Sequence, residues 1–495
     1  MLLLISLLLG AAGVAAFAPL GWYPVAWLSM AGLHLLVFGS PSPRESARRA
    51  YVFGLGHFLA GVSWVYVSLH DVGGMPLPVA AFATLALCAI LALYPALAAW
   101  GARRLAGSAP SPLRQALIFA AAWGLAEWVR GWFLTGFPWL ALGYSQAPPS
   151  PLAGFAPLLG VYGLSFLTVL LASLIAAVVS VQRGRGALPQ RIAATLLALC
   201  LLGGGALLRQ VAWTSPVGES VRVALLQGNI PQELKWRPER FIDSLETYVR
   251  LAAANPAQLT VLPETAIPAL YDQVPAEFLE DLRHLAGRSH GDVLMGVAVG
   301  DNATYRNSAV TFGASPAQFY SKRHLVPFGE YVPPGFAWFL ALMQMPMSDF
   351  TSGPATQPPL AIAGQQVAPN ICYEDVFGEE LIHALPSATL LVNLSNTAWF
   401  GHSLAQPQHL QISQLRALET GRPMLRATNT GMTAVVDPDG TVRDVLPPFI
   451  RGALVADVQG YQGITPYVRV GNAGALALIG LALVIGALLR RRESK

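Results

Sequence analysis

Long apolar segments recur along the chain, and each has the length of a membrane-spanning helix. A helix needs about 20 mostly apolar residues to cross the hydrocarbon core of a bilayer. Runs of this kind lie at 2–18, 22–39, 51–69, 76–101, 116–136, 152–182, 192–212 and 471–489. The pattern predicts a multi-pass α-helical membrane bundle of about eight spans.

The loops between these runs predict their orientation, because loops rich in lysine and arginine stay in the cytoplasm. The short loops 70–75 and 137–151 contain neither residue. The other loops and the C-terminal tail are basic, with Arg44, Arg48, Arg49, Arg103, Arg104, Arg114, Arg183, Arg185, Arg191, Arg490, Arg491, Arg492 and Lys495. We therefore expect both termini in the cytoplasm and residues 213–470 outside it.

The first apolar run has a second interpretation, as a cleaved signal peptide. It ends in the small residues Ala15, Ala16 and Ala18, but it lacks the basic N-terminal region of such peptides. We expect it to be retained as a helix, and its removal would leave the remaining topology unchanged.

Two charged residues lie inside the fifth run. Glu127 and Arg130 are three residues apart, so they share one face of a helix and can pair. Charges inside a membrane commonly mark functional sites. A neutralised pair that fixes helix packing is the alternative, and the sequence does not decide between the two.

Residues 213–470 show a different pattern, in which short β-branched runs alternate with helical periodicity. Strands are predicted at Val221–Leu226, Leu259–Leu262, Val293–Val299, Ala388–Asn393 and Met432–Val436, helices at 238–254, 276–286 and 404–420, and a hairpin turn at Asp437–Gly440. This alternation predicts an α/β domain of layered sheets and helices. The expected domains are 1–212 with seven spans, 213–470 as the α/β domain, and 471–495 with the last span and a basic tail.

Composition agrees with a membrane protein and limits the possible partners. Of 495 residues, 54% are hydrophobic and 12% charged, whereas soluble domains are about 25% charged. The net charge of +4 is too small to suggest a nucleic-acid partner. Cys88 and Cys200 lie in apolar runs, Cys372 lies alone in the polar domain, and no paired spacing predicts a disulfide or a structural zinc site.

Three segments of the α/β domain carry reactive side chains after strand-like runs. Glu264 follows the run at 259–262, and the alternative to a catalytic carboxylate is a helix cap or a salt bridge. Lys322 begins a loop that also contains Glu330, although solvated charges would explain both residues. Cys372 is a candidate nucleophile at a strand-to-helix turn, or else a buried thiol without chemistry.

The order Glu264, Lys322, Cys372 resembles the nitrilase superfamily, whose members use a Glu-Lys-Cys triad. Together with the apolar runs, the chain resembles the apolipoprotein N-acyltransferase family over nearly its whole length. The motifs that carry this resemblance are GFPWLALGYSQ at 136–146, PETAIP at 263–268, PFGEYVP at 327–333, ICYED at 371–375 and RALETGRPMLRATNTG at 416–431. The resemblance implies a nitrilase-like sandwich with αββα layers.

The resemblance also implies a role for each residue of the triad. Glu264 would be the general base for the thiol of Cys372, and Lys322 would stabilise the oxyanion of the tetrahedral intermediate. The main-chain N–H of Tyr373 would be a second oxyanion donor, and Glu330 would orient Lys322 or Glu264.

Further positions match residues on which the family depends. They are Tyr373, Glu374 and Trp236, expected to support the site or bind substrate, with ordinary packing as the alternative. One position departs from the family: Thr397 stands where its members commonly have an aspartate in the motif around Trp399. No essential role is therefore expected for an acid in that loop.

The implied reaction is an acyl transfer in two steps. Cys372 would attack a phospholipid ester and form a thioester, and neither a metal nor an organic cofactor would be needed. The α-amine of a diacylglyceryl-cysteine at the N-terminus of a lipoprotein would then take the acyl group. Such an enzyme would lie in the inner membrane with its catalytic domain in the periplasm, and nothing in the sequence requires more than a monomer.

The segment 331–350 contains many large apolar residues and few charges. We expect it to form a lid at the bilayer surface, with Trp338 and Phe339 as its main apolar contacts, since Met and Trp suit variable lipid contacts. The alternative is an ordinary buried helix of the α/β domain.

Two other functions are alternatives to acyl transfer to lipoproteins. A membrane-tethered amidase or nitrilase acting on a small polar substrate would use the same triad, but it would have no need for eight spans. A transporter or lipid-binding scaffold should show several intramembrane charges or broken helices in pairs, and only Glu127 and Arg130 stand out.

Overall fold

The structure is a computed structural model that describes residues 1–107, 110–180, 187–235, 237–301, 303–333, 335 and 349–493. The chain divides into two compact units. One comprises Met1–Val65, Pro78–Ala212 and Arg469–Lys495, and the other comprises Tyr66–Leu77 and Trp213–Val468.

The first unit is helical, and every apolar run of the sequence contains a helix. The main helices are Leu2–Gly13, Pro24–Phe38, Pro43–Gly61, Leu77–Leu91, Leu93–Ala106, Pro112–Arg130, Ala156–Ser180, Ala187–Leu208 and Ala473–Glu493. The run at 51–69 is not one straight helix, because its helix ends at Gly61 and the next, Trp64–Val72, is bent by 51° from it. Glycine is a weak helix former, which favours a break at that position.

Four of the described helical segments are long and apolar enough to cross a membrane. They are Leu77–Ala106, Pro151–Val179, Leu188–Leu208 and Ala473–Arg490, and the bent pair Pro43–Gly61 with Trp64–Val72 would make a fifth. The apolar helices Leu2–Ala16 and Pro24–Phe38 are shorter. These helices are those of a membrane protein, but fewer than the eight spans expected from the sequence reach this length and apolarity.

Glu127 and Arg130, on the helix Pro112–Arg130, are both buried, and both bind the main chain that follows their own helix. The main-chain N–H of Leu142 donates to Glu127 Oε1 at 3.1 Å and to Oε2 at 3.2 Å. Arg130 Nη1 donates to the carbonyl oxygens of Phe137 and Trp139, each at 2.7 Å. These bonds satisfy the polar main chain of an irregular segment, so they support the packing interpretation of this pair.

The second unit contains two six-stranded sheets. Its strands are β1 (Thr214–Gln227), β2 (Leu259–Leu262), β3 (Asp292–Gly300), β4 (Tyr305–Gly313), β5 (Phe319–Ser321), β6 (Leu360–Ile362), β7 (Gln365–Ile371), β8 (Leu390–Ser395), β9 (Met424–Thr428), β10 (Thr433–Val436), β11 (Val442–Leu446) and β12 (Gly452–Gly463). The first sheet has the order β12-β1-β2-β3-β4-β5 and the second the order β11-β10-β9-β8-β7-β6. All five predicted strands and the β10–β11 hairpin are confirmed.

Apolar side chains on both faces of each sheet create four layers. In β1, Val223 and Leu225 point into a core shared by both sheets, whereas Ala224 and Leu226 belong to a core on the outer face. Helices Pro238–Ala254 and Ala276–Gly287 cover the first sheet, and Ala405–Thr420 covers the second. The expected αββα sandwich is confirmed, since strands with buried side chains at successive positions must be covered on both sides.

Short helical turns complete the second unit. They are Val67–Val72, Gln232–Lys235, Tyr271–Gln273, Cys372–Val376, Gly378–Leu381, Ile382–Ala384, Thr397–Phe400 and Pro466–Val470. The turn Val67–Val72, which begins at the end of the apolar run 51–69, contacts the turn Thr397–Phe400 within this unit.

Strand direction places the reactive residues together. β1, β2 and β3 are parallel to one another, as are β7, β8 and β9. Glu264 follows β2, Cys372 follows β7 and Asn396 follows β8. Since residues at the carboxyl ends of parallel strands gather at one edge of a sheet, each sheet presents its functional side chains at such an edge.

We expect replacement of Arg130 by Met to lower the melting temperature in detergent by several degrees. The substitution removes the donor to two main-chain carbonyls and the cation that faces the Glu127 carboxylate, and breaking a buried charge pair costs about 3–5 kcal/mol. The double variant Glu127→Gln/Arg130→Met should recover part of the loss. The exposed Arg104→Met is the control, and an equal loss there would contradict the structural role.

Candidate active site

A buried lysine lies between two carboxylates in the second unit. Lys322 follows β5, and its side chain is 1% exposed. Its Nζ lies 2.8 Å from Glu330 Oε2, 3.0 Å from Glu330 Oε1 and 3.4 Å from Glu264 Oε1. Burial disfavours the ammonium ion, but the charges of Glu330 and Glu264 outweigh burial and raise the pKa of Lys322. The lysine is therefore a permanent cation at neutral pH.

The amide of Asn307 joins the same two carboxylates. Its Nδ2 donates to Glu264 Oε1 at 2.7 Å and to Glu330 Oε1 at 2.8 Å. The main-chain N–H of Lys322 donates to the carbonyl oxygen of Asn307 at 2.7 Å. The sequence does not predict this residue, because an asparagine inside a strand carries no motif, and only the register of β4 against β5 brings it to the lysine.

The other oxygen of Glu264 is held from the second sheet. The main-chain N–H of Asn396 donates to Glu264 Oε2 at 2.8 Å. Lys235, which no sequence motif marks, is buried and donates to the main-chain carbonyl of Glu264 at 3.4 Å. Burial lowers the pKa of Lys235 to about 8, while the charge of Glu264 opposes the shift. The carboxylate of Glu264 is thus oriented by Lys322, Asn307 and Asn396 together.

Cys372 begins a turn at the end of β7 and has an unusual main-chain conformation. Its φ is +52°, a value that residues other than glycine seldom adopt and that is typical of functional sites. Burial, together with the charges of Glu264 and Glu330, raises the pKa of the Cys372 thiol, and the charge of Lys322 acts against this shift. The thiol is therefore protonated at neutral pH and needs a base to become a nucleophile.

Glu374 connects the turn of Cys372 to the loop of Lys322. Its Oε2 accepts from the main-chain N–H of Ile371 at 2.7 Å and from the hydroxyl of Tyr320 at 3.0 Å. Its Oε1 accepts from the main-chain N–H of Arg323 at 2.7 Å. Burial raises the pKa of Glu374 to about 7, although Lys322 and these hydrogen bonds favour the charged form. This carboxyl group links the strand before the cysteine to the strand before the lysine.

The structure describes only some of the remaining residues that the sequence analysis discussed. Tyr373 is 9% exposed and its ring packs edge-on against Phe377, with 5.1 Å between centroids. Trp236, Trp338 and Phe339 lie outside the residues that the structure describes. Thr397 is buried, and its hydroxyl donates to Gln406 Oε1 at 2.9 Å. This hydrogen bond does not require an acidic side chain at position 397.

The residues that the structure describes contain no cluster of three or more His, Cys, Asp or Glu side chains arranged to hold a metal ion. The three cysteines, Cys88, Cys200 and Cys372, are free thiols. The described site therefore consists of carboxylates, amides, an ammonium group and a thiol, which together can carry out acyl transfer through a covalent intermediate.

Comparison with known proteins identifies the class of this domain. Residues 222–465 match the family model described as carbon-nitrogen hydrolase. The second unit is therefore a carbon–nitrogen hydrolase domain of the nitrilase superfamily. A solved protein of this superfamily from Xanthomonas campestris overlaps 52% of this chain and 93% of its own, with 18% identity and a TM-score of 0.38, a score too low to support any conclusion about function.

The family follows from the rest of the chain. Residues 9–174 match the family model for the apolipoprotein N-acyltransferase N-terminal domain. An apolipoprotein N-acyltransferase from Nitrosomonas europaea is 49% identical over 98% of this chain and 97% of its own length. Another, from Ralstonia nicotianae, is 48% identical over 99% of this chain and 94% of its own. The chain belongs to the apolipoprotein N-acyltransferase family, which confirms the resemblance drawn from its motifs and makes it an acyltransferase.

We expect replacement of Glu374 by Gln to change how stability depends on pH. Because the pKa of Glu374 is about 7 in the folded protein and near its ordinary value when unfolded, its contribution is fully present below pH ~4.5 and is lost as the pH rises to about 7. Relative to Glu374→Gln, the free energy of unfolding of the wild type should fall by about 3 kcal/mol between these two pH values.

Melting temperatures of both proteins between pH 4.5 and 8 measure this difference. Tyr320→Phe removes a hydrogen bond that favours the carboxylate form of Glu374, so it should raise the pKa of Glu374 further. The loss of stability should then occur at higher pH. A wild type and Glu374→Gln variant with parallel pH curves would show that Glu374 does not titrate in this range.

Proposed function

We propose that this chain transfers a fatty acyl group from a membrane phospholipid to the N-terminal amine of a diacylglyceryl-cysteine on lipoproteins, through a thioester on Cys372. The observation that carries the proposal is the buried Glu264–Lys322–Glu330 cluster, whose charges act on the thiol of Cys372. Membership of the apolipoprotein N-acyltransferase family supplies the acceptor.

In the first half-reaction Cys372 Sγ attacks the carbonyl carbon of the phospholipid ester at the sn-1 position, with phosphatidylethanolamine as the expected donor. Glu264 takes the thiol proton as the sulfur–carbon bond forms. The ammonium of Lys322 and the main-chain N–H of Tyr373 stabilise the negative charge on the former carbonyl oxygen. The carbon–oxygen bond to glycerol then breaks, Glu264 returns the proton to the leaving oxygen, and a lysophospholipid departs.

In the second half-reaction the α-amine of the diacylglyceryl-cysteine attacks the thioester carbon. Glu264 accepts a proton from the amine, the carbon–sulfur bond breaks, and the thiol of Cys372 is regenerated by that proton. One nucleophile that serves two substrates in turn gives ping-pong kinetics. No step requires a cofactor.

The resting state of the site supports general-base catalysis. A pKa of Cys372 above its ordinary value keeps the thiol neutral before substrate binds, which avoids a third buried negative charge beside Glu264 and Glu330. Glu330 is proposed to orient Lys322 through its two oxygens. Glu374, Tyr373 and Trp236 are proposed to support the turn of Cys372 or to contact substrate.

The proposed setting is the inner membrane, with eight spans, both termini in the cytoplasm and the catalytic domain in the periplasm. The basic loops of the sequence support this orientation. We propose the domains 1–212, 213–470 and 471–495, and a monomer as the working form. Because both substrates are lipids, a catalytic domain joined to membrane helices is better suited to them than a soluble pocket.

We expect wild-type protein incubated with phospholipid in detergent to gain the mass of one fatty acyl group. The adduct should be released by hydroxylamine, as a thioester is, and should be absent from Cys372→Ala. Addition of a diacylglyceryl-cysteinyl peptide should discharge it as an N-acylated peptide, seen by mass spectrometry.

The control is Cys88→Ala, which removes a buried thiol of the helical unit and should acylate like the wild type. If folded wild-type protein forms no adduct, the phospholipid donor is wrong. If the adduct is discharged by water as fast as by the peptide, the chain acts as a hydrolase of the amidase type.

The sequence of 331–350 supports a lid that admits lipid to the site, with Trp338 and Phe339 as its apolar contacts. We expect Trp338→Ser/Phe339→Ser to slow thioester formation from phospholipid at least about tenfold, since each large aromatic side chain contributes on the order of 1–3 kcal/mol when buried against lipid. The rate with a short, water-soluble ester should stay unchanged. Wild-type rates with phospholipid would contradict the lid.

A further inference from the structure

The main-chain carbonyl of Cys372 is held by two side chains that the proposed reaction does not use. Asn393 Nδ2, on β8, donates to this oxygen at 3.1 Å. His409 Nε2, on the helix Ala405–Thr420, lies 3.3 Å from it. Both side chains are buried, at 0% and 1% exposure. Two convergent contacts on one carbonyl leave the peptide group after Cys372 with little freedom to rotate.

A charged cluster lies behind these two residues and holds each of them. Asp375 Oδ1 is 2.8 Å from His409 Nε2, and its Oδ2 accepts from Arg426 Nη1 at 3.2 Å. Arg426 Nη1 also donates to Asn393 Oδ1 at 3.0 Å. The guanidinium and the carboxylate are completely buried, an arrangement that is expensive unless the two charges face each other and find hydrogen bonds.

Ser413 closes the network from the same helix. Its hydroxyl donates to Asp375 Oδ2 at 2.6 Å and accepts from Arg426 Nη1 at 3.0 Å. A hydrogen bond from Arg426 to the oxygen of Asn393 also polarises the amide, which strengthens the donation from its Nδ2 to Cys372. The cluster therefore acts on the cysteine through Asn393 and His409.

Planarity of the peptide bond gives this arrangement a consequence for catalysis. The carbonyl of Cys372 and the N–H of Tyr373 belong to one peptide group, and in a trans peptide they point in opposite directions. Fixing the carbonyl therefore fixes the direction of the N–H. That N–H is the second oxyanion donor in the proposed reaction, so the inference that follows rests on the proposed function.

We propose that Asn393, His409, Asp375 and Arg426 are positioning residues that aim the main-chain N–H of Tyr373 at the oxyanion by holding the carbonyl of Cys372. The cluster lies behind the peptide group that follows Cys372, which it contacts at the carbonyl oxygen. It contacts no substrate, and its effect appears only when negative charge develops on the attacked carbonyl oxygen.

The test compares two reactions of Cys372 that differ in whether an oxyanion forms. Acylation by p-nitrophenyl decanoate passes through a tetrahedral oxyanion, and it does not depend on the phospholipid assignment. Alkylation by iodoacetamide forms no oxyanion. In Asn393→Ala, acylation should fall about 10- to 100-fold, since an oxyanion donor contributes about 100- to 1000-fold when lost entirely, while alkylation should stay within about threefold.

Variants of the second donor and a matched asparagine complete the experiment. His409→Phe should behave like Asn393→Ala, and His409→Gln should recover acylation because its amide N–H can donate in place of the imidazole. Asn255→Ala removes a half-buried asparagine whose Nδ2 also donates to a main-chain carbonyl, that of Leu251 at 2.8 Å, at the end of the helix Pro238–Ala254, and it should acylate as the wild type. Melting temperatures verify folding.

Equal losses of acylation and alkylation in Asn393→Ala would mean that the cluster merely keeps the thiol in place, and would overturn the proposal. Unchanged acylation in folded Asn393→Ala and His409→Phe would overturn it as well. If the wild type accepts the activated ester but not phospholipid, the proposed donor fails while the ratio of the two reactions still decides the role of the cluster.

Discussion

The ammonium group of Lys322 makes it possible to bury two carboxylates side by side. Glu264 and Glu330 share the amide of Asn307. The Nζ of Lys322 lies within 3.4 Å of both carboxylates, so its charge offsets the repulsion between them. Removal of one partner from such a buried group costs about 3–5 kcal/mol. In the proposed reaction, the neutral thiol of Cys372, the orientation of Glu264 and the cation for the oxyanion all depend on this cluster.

The sandwich joins this cluster to Cys372, the proposed nucleophile. Glu264 and Lys322 come from the first sheet, whereas Cys372 and Asn396 come from the second. Glu374 bonds the main chain of both sides, at Ile371 and at Arg323. The apolar core between the sheets thus determines the separation of base and thiol, because close-packed interiors change shape very little. Neither sheet alone contains a complete site.

Polar groups in both units perform a related task, which is to hold irregular main chain inside an apolar environment. In the helical unit, Glu127 and Arg130 bind main-chain groups after their own helix. In the catalytic unit, Asn393 and His409 hold the carbonyl of Cys372. Unpaired main-chain groups are costly where water is excluded, so such segments need side-chain partners, and function can be built on them.

The sequence alone determined the elements and the chemical class, because the alternation of apolar residues and the motifs around Glu264, Lys322 and Cys372 are local properties. It predicted the strands, the covering helices and the family. It could not predict Asn307 or the cluster behind Asn393, since their roles arise from strand register and from side chains far apart in the chain. The apolar runs alone do not determine the number of spans either, because the helix in the run 51–69 ends at Gly61 and is followed by a second helix bent away from it. Only tertiary packing decided which polar residues meet at the nucleophile, because hydrogen bonds act over a few ångströms and take no account of distance along the chain.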